Sequence, residues 1–419
     1  MKYYLIGIKG SGMSGLAQIL YDLGNEVKGA DVTNSLFCEK QVLDKGIIIE
    51  DIDDMDYSDA DVVIIGNVFL DRFIINDKEV LTYQEALNII SEKYYSIAVC
   101  GTHGKTTITN MIKHVLSSKQ KVSYLIGDGQ GKANKDSKYF VFEACEHKEH
   151  FLSYFPNMIV CSNVDYDHVD YYQNKRQYKK AFNNFFENAK ELLILNETIK
   201  YKGNKNNILY GTNKSNVKAE NIKYHSEGIS FTLKVNGQIY NDITLPFYGK
   251  HMLNNALACI SCCYLLNMNI LDIIDALKTY KNATRRYNIT YINDNVIVDD
   301  YGHHPEEIKA TISSIKQQFP DKELYIIYHP DRPKRLTCFL YKYEKVFKEA
   351  KMTFVLPFLN MDKEKQNALQ SIVNNKNIVM YDNKLINKQY SNSLFLFTGS
   401  KEMKKQMNEL KFSINKKTP

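Results

Sequence analysis

The 419-residue sequence predicts an α/β protein of three successive segments, each built on a parallel sheet. Three observations carry that expectation. Short apolar runs alternate with stretches of helical period along the whole chain, as strands joined by crossover helices require. Glycine-rich turns around residues 10–15 and 101–104 each separate an apolar run from a helical pattern. A chain of this length also exceeds what one hydrophobic core accommodates, which points to about two to four domains.

The first segment, 1–93, opens on a strand pattern at 3–8, then a helix over 13–23 closed by Gly24, and has a further strand at 61–65. The second, 94–282, carries strand runs at 96–100, 139–143, 158–162 and 191–195. Ile108, Met111, Ile112, Val115 and Leu116 recur at helical spacing after the first of these. The polar stretch 217–247 alternates with apolar residues and predicts antiparallel strands, followed by a helix over 251–266. The third segment, 283–419, repeats the theme: a strand at 296–298, a helix near 305–318, then strands at 324–328, 353–356 and 394–397. Parallel sheets of this kind place their sites at the strand C-termini.

Composition narrows the class. The apolar share of 44% is that of an ordinary globular protein rather than a disordered one. The net charge of +6 arises from 54 basic and 48 acidic residues, and no basic block interleaves with aromatics, so no nucleic-acid partner is expected. No apolar run is long enough to span a bilayer and no signal-peptide pattern leads the chain; a cytoplasmic location without a membrane partner is the expectation. Monomer and homodimer both stay open. The eight cysteines are scattered; Cys259, Cys262 and Cys263 lie on an apolar helical stretch and read as small buried residues, since no second pair completes a zinc site.

The most informative stretch is Gly101-Thr102-His103-Gly104-Lys105-Thr106-Thr107. Glycines let the backbone bend and aim N–H groups at an anion. The helix N-terminus adds its positive dipole end, Lys105 adds a charge, and the hydroxyl of Thr106 or Thr107 suits Mg²⁺. This reads as a nucleoside-triphosphate cradle in a form shorter than the usual P-loop. Gly10-Ser11-Gly12-Met13-Ser14-Gly15 fits a diphosphate-binding turn, with Asp31 near the end of the next strand; a nicotinamide cofactor and a UDP-sugar fit it equally. Glu143 and Glu146 close the strand at 139–143, where carboxylates hold Mg²⁺ well. Asp167-His168 suits a metal or phosphates, or a local hydrogen bond. His251 and Asn255 stand one turn apart, fit for a purine edge or a helix cap. Arg285-Arg286 reads as a phosphate clamp or a surface pair. Asp299-Asp300-Tyr301-Gly302-His303-His304-Pro305 sits between strand and helix, with Pro305 suited to the first turn. Arg332 and Arg335 can fork onto a carboxylate or lie in a solvated loop.

Taken in this order, the residues resemble the Mur ligases of peptidoglycan synthesis. The resemblance rests on Gly7 to Ser14, Gly101 to Thr107, Phe142-Glu143-Ala144-Cys145-Glu146, Phe151-Leu152-Ser153-Tyr154 and Asp299 to Pro305, and it extends over nearly the whole chain. It implies a three-domain α/β architecture: a Rossmann-like UDP-sugar-binding domain at 1–93, a P-loop-type central ATPase domain at 94–282 and a Rossmann-like amino-acid-binding domain at 283–419. The implied reaction is an ATP- and Mg²⁺-dependent joining of L-alanine to the lactyl carboxylate of UDP-N-acetylmuramate through an acyl phosphate. It further implies that Gly101, Thr102, His103, Gly104, Lys105, Thr106 and Thr107 cradle ATP, with His251 and Asn255 at the adenine. Thr106, Glu143 and His168 would hold metal; Arg286 and Asp300 would join Lys105 in catalysis from the third domain. Gly10, Ser11, Gly12, Met13, Asp31, His303, Arg332 and Arg335 would meet the UDP-sugar and the amino acid. Two stretches depart from the family pattern, His329-Pro330-Asp331-Arg332 and Gly399-Ser400-Lys401, both in the amino-acid-receiving domain. Another small amino acid and a dinucleotide-dependent oxidoreductase stand as alternative functions.

Overall fold

A computed structural model describes residues 1–416 apart from 35, 37, 374–375 and 383–389. Three sheets follow one another along the chain. The first has five parallel strands in the order Ile48–Asp51, Glu26–Asp31, Lys2–Ile6, Val62–Ile65, Glu79–Thr82. The second has ten strands: a parallel set around Tyr95–Cys100, extended by the antiparallel strands Val217–His225, Gly228–Val235 and Gln238–Leu245 that the alternating pattern predicts. The third has six, parallel except for the edge strand Asn288–Ile292, which pairs antiparallel with Asn295–Asp300. The sequence reading missed that edge strand, because its two-residue hairpin turn, Asn293-Asp294, lies inside a polar stretch.

Boundaries shift where backbone geometry intervenes. The strand expected over 3–8 ends at Ile6, because Gly7 turns to φ +84°, and the helix begins at Ser11 instead of Met13. Asp165 to His168, read as a strand end, lies in a loop beyond Met158–Cys161.

The first and second sheets share one apolar cluster, which runs from Leu5 and Leu16 through Leu87 to Phe140, Phe142 and Phe182. The helix Ser11–Asp22 seals that junction. A Cβ on Gly15 would stand 3.2 Å from the Leu125 side chain and 3.3 Å from Gln130 O, while Gln18 donates to Gly129 O at 2.7 Å. The third sheet has its own apolar clusters on its two faces. Its helix Pro305–Gln318 docks on the middle sheet by polar contacts: Ser314 donates to Tyr248 O at 2.8 Å, and Gln317 donates to His225 O at 2.9 Å and Gly228 O at 2.8 Å. An apolar seam joins the first two bodies, while the third adds to these polar contacts only a few apolar ones, Tyr166 and Val169 against its cluster and Tyr248 beside Tyr287. Among the described residues, no helix is long and apolar enough to cross a membrane.

Candidate active site

The loop between the strand Tyr95–Cys100 and the helix Lys105–Ser117 is built by two glycines in left-handed geometry. Gly101 has φ +133° and Gly104 has φ +86°. A side chain at Gly101 would collide with Ser162 Oγ, and a Cβ at Gly104 would stand 2.8 Å from Asn255 Oδ1. The loop is held from outside: His103 N donates to Asn163 Oδ1 at 3.0 Å, and Asn163 Nδ2 donates to His103 O at 3.0 Å. Lys105 folds back, its Nζ donating to Gly101 O at 2.6 Å and to Glu146 Oε2 at 2.9 Å.

Glu146, expected with Glu143 as a carboxylate for Mg²⁺, is instead paired with protein groups and is central to the site. Only 1% of its side chain is exposed, and its other oxygen lies 3.3 Å from His168 Nε2. Burial works against its ionisation, yet Lys105 and His168 hold its carboxyl down at about 2. Burial equally disfavours the Lys105 ammonium, and Glu146 keeps it well above the ordinary lysine value. Glu143 lies beside this pair and behaves differently. Its carboxylate accepts from Gly127 N at 2.6 Å, and burial raises its pKa although Lys105, Arg286 and the Thr106 hydroxyl favour the charged form.

The residues fit Mg²⁺ at this point. A buried carboxylate whose neighbours leave it under-compensated, next to a threonine hydroxyl at a phosphate loop, is the oxygen donor set that a hard cation completes with phosphate and water. His168 does not join Thr106 and Glu143 in one ligand set, because its Nε2 faces Glu146; its Nδ1 is buried without a partner and remains available. Among the described residues, no group of three or more His, Cys, Asp or Glu converges for a metal ion.

From the third sheet, Arg286 Nη2 reaches Thr106 Oγ1 at 3.4 Å, with its guanidinium 4.9 Å from the Tyr301 ring centre. Arg285, read with it as a phosphate clamp, is spent elsewhere: it donates to the carbonyls of Gly399 at 2.6 Å, Ser400 at 3.1 Å and Lys401 at 3.0 Å. The departure at 399–401 thus has a local role as acceptor for a buried arginine. Asp300 is also a structural acceptor here, taking Gly302 N at 2.8 Å and Tyr287 N at 2.9 Å; burial raises its pKa against the pull of Arg286. Glu307, which the sequence reading passed over, lies 3.3 Å from His103 Nδ1 and accepts from His303 N at 3.0 Å and His304 N at 3.1 Å. It ties the phosphate loop to the third body. A Glu three residues into a helix capped by His304 was the available signal.

Two cavities flank the loop. One, of about 370 Å³, is lined by Asn196, Thr212, Lys250, His251 and Asn255. His251 is buried there with its pKa lowered by burial to about 4, so it is a neutral ring at physiological pH. The other, of about 510 Å³, lies where all three sheets meet and takes Lys9, Gly10 and Ser11 from the first, Lys105, Glu143 and His168 from the second and Tyr301 and His303 from the third. His103, Gly104, Arg286 and Glu307 line both cavities.

Five expected substrate residues are placed differently. Met13 is buried in the shared core, 5% exposed. Gly12 lies under the Tyr83 ring, where a Cβ would be 2.7 Å from it. The Asp31 carboxylate is taken by Lys9 N at 2.7 Å and Val32 N at 2.8 Å, so it shapes the loop instead of reaching a ribose. Arg335, expected to bind a carboxylate from the substrate, is buried between two carboxylates of the protein, Asp167 and Asp331. Arg332 pairs with Asp170 at 2.7 Å, half-exposed.

This arrangement, a glycine-rich loop before Lys105 in a three-body α/β chain, defines the class of fold, and comparison with known proteins identifies the family. Residues 2–95 match the model of the Mur ligase family catalytic domain, and residues 99–263 match the Mur ligase middle domain. Together these take in well over half of the chain, which belongs to the Mur ligase family. Solved structures agree in fold. A UDP-N-acetylmuramate-alanine ligase of Thermotoga maritima is 23% identical with a TM-score of 0.79, covering 99% of each chain. A murein peptide ligase of Psychrobacter arcticus is 20% identical with a TM-score of 0.69, covering 100% of each. A second T. maritima ligase, MurF, solved in complex with ADP, is 16% identical with a TM-score of 0.65, covering 94% of this chain and 96% of its own. The family and the three-body architecture expected from the motifs are both found, and the oxidoreductase alternative falls with them.

Proposed function

We propose that this chain is an ATP-dependent ligase that joins L-alanine to the lactyl carboxylate of UDP-N-acetylmuramate. The observation that carries the reading is the wall of His103, Gly104, Arg286 and Glu307 common to two cavities, each large enough for part of a nucleotide substrate. A triphosphate laid in the smaller cavity has its base among His251 and Asn255. Its terminal phosphate then meets the loop N–H groups, Lys105 and Arg286, at the edge of the larger one. The ADP bound by the T. maritima relative supports an adenine nucleotide here. The larger cavity takes the UDP-sugar on the Lys9 to Ser11 turn, in front of the helix N-terminus at Gly10.

In this reading the lactyl carboxylate attacks the γ-phosphorus in line and ADP leaves. The amine of the amino acid then adds to the acyl-phosphate carbon, loses a proton and expels inorganic phosphate. Lys105 and Arg286 stabilise the charge on the moving phosphoryl group. Thr106 and Glu143 would hold Mg²⁺, with His168 available for a second ion, and the metal would supply further neutralisation of phosphate charge. The third body closes over the site and excludes water from the acyl phosphate.

A second reading, another small amino acid, is favoured by the pairing of Arg332 and Arg335 with aspartates, which leaves neither guanidinium free for an α-carboxylate. ADP release measured across a grid of UDP-sugars and amino acids separates the two. L-alanine with UDP-N-acetylmuramate should give the highest kcat/KM; preference for glycine or L-serine would support the second reading, and no release with any pair would refute both.

A further inference from the structure

His168 is one of the few non-glycine residues in left-handed geometry, with φ +49°. Such a conformation persists only where the surroundings hold it. What holds it comes largely from the third body. Arg335, on the helix Pro333–Cys338, is 3% exposed and forks onto Asp167, itself 5% exposed: Nε to Oδ1 at 3.1 Å and Nη2 to Oδ2 at 3.3 Å. Two residues after His168, Asp170 takes both bonds of Arg332 Nη1, at 2.9 and 2.7 Å. The two arginines therefore bracket His168 from either side. The backbone between is closed by Tyr171 N and Tyr172 N, both donating to His168 O at 2.9 Å.

The contacts continue into the phosphate loop. His168 Nε2 lies 3.3 Å from Glu146 Oε1, and Glu146 Oε2 accepts from Lys105 Nζ at 2.9 Å. A path of contacts thus runs from the third body through Arg335 and Asp167, along the backbone to His168, and on through Glu146 to Lys105. Asp331 completes the clamp. Its two oxygens take Arg335 Nη1 at 2.9 and 3.0 Å, which holds the fork in the orientation that meets Asp167.

We propose that Arg335 and Arg332 are positioning residues: docking of the third body clamps the segment 167–170, seats His168 against Glu146 and so aligns Lys105 for phosphoryl transfer. Closure and chemistry are coupled through this path, and Arg335 is withdrawn from amino-acid binding. The inference rests on the proposed ligase reading for its kinetic consequence alone; the geometry of His168 is independent of it.

The test uses the full chain and the variants Arg335→Gln, Arg335→Lys, Asp167→Asn and Asp331→Asn. The first readout is the His168 imidazole resonance in a histidine-labelled spectrum, identified by its loss in His168→Asn. Arg335→Gln and Asp167→Asn should move it equally, and Asp331→Asn much less. The second is steady-state ADP release. Misplacing a catalytic group by about an ångström costs on the order of 10²-fold, so kcat should fall by that order in Arg335→Gln and Asp167→Asn. The amino-acid KM should stay within about three-fold. Arg335→Lys should restore part of kcat, because one charge contact to Asp167 survives. A raised amino-acid KM at unchanged kcat in Arg335→Gln would return that residue to substrate binding. A His168 resonance unmoved by both Arg335→Gln and Asp167→Asn would overturn the clamp even if the kinetics changed. Absence of ADP release from the unaltered protein would refute the ligase reading, and the resonance would still decide the clamp.

Discussion

Replacing Lys105 by Met removes a buried cation while keeping most of the side-chain volume, and its effect on stability can be worked from Glu146. The carboxylate is 1% exposed, and its pKa is depressed from 4.5 to about 2 with burial already counted against it. At about 1.4 kcal/mol per unit, that depression amounts to roughly 3 kcal/mol of favourable interaction, shared between Lys105 and His168. Breaking a buried ion pair by removing one partner costs about 3–5 kcal/mol, because the other charge stays buried and uncompensated. Lys105 supplies the largest part of that interaction, and the expected loss is about 3 kcal/mol, a large fraction of ordinary stability. The double variant Lys105→Met with Glu146→Gln removes the stranded charge and should recover most of the loss. The folded-state pKa of Glu146 lies below its unfolded value, so its contribution is complete above about pH 4.5 and vanishes as pH falls towards 2. The gap between the unaltered protein and Lys105→Met should therefore close over that acid range. Urea unfolding near neutral pH and in the acid range checks both expectations. A single variant as stable as the parent near neutrality, or a double variant no better than the single, would refute the argument.

Gly104→Ala places a Cβ 2.8 Å from Asn255 Oδ1 at a φ of +86°, so ADP affinity measured by calorimetry should drop at least ten-fold or so through loss of the cradle; unchanged affinity would remove the loop from phosphate binding. Chelating Mg²⁺ with EDTA should abolish ADP release while UDP-N-acetylmuramate still binds, since the Lys9 to Ser11 turn holds no metal ligand; equal loss of both would place the metal elsewhere. Burial lowers the pKa of His251 from 6.5 to about 4 and that of His304 to about 3, so the native state binds fewer protons than the unfolded one below about pH 6.5. Stability should fall as pH drops from there towards 4, and His304→Asn should flatten the slope; an identical slope in that variant would mean that His304 is protonated in the native protein.

Much of the phosphate loop was legible because its chemistry is local. Two glycines, a lysine and a threonine between a strand and a helix act through backbone angles and a helix terminus that lie within seven residues of one another. Glu143 and Asp300 were equally visible as acids at strand ends. The antiparallel strands between residues 217 and 247 followed from period-two alternation, since one face is buried. Glu307 escaped notice because its partner His103 is two hundred residues away, and Arg335 was misread because a free and a buried guanidinium share one sequence pattern.

By itself, then, the sequence determined the alternation of strand and helix, the motif order that marks the family, and the position of the glycine-rich loop before Lys105. Those features depend on neighbours along the chain, where spacing fixes geometry. Only the tertiary structure decided which charges are already spent. Asp31 closes its own loop, Arg285 holds three carbonyls, Arg335 lies between Asp167 and Asp331, and Lys105 is anchored by Glu146. An ion pair forms between groups that folding brings together from distant segments, and its energy depends on how completely burial removes water from both partners. Neither quantity is written in local spacing.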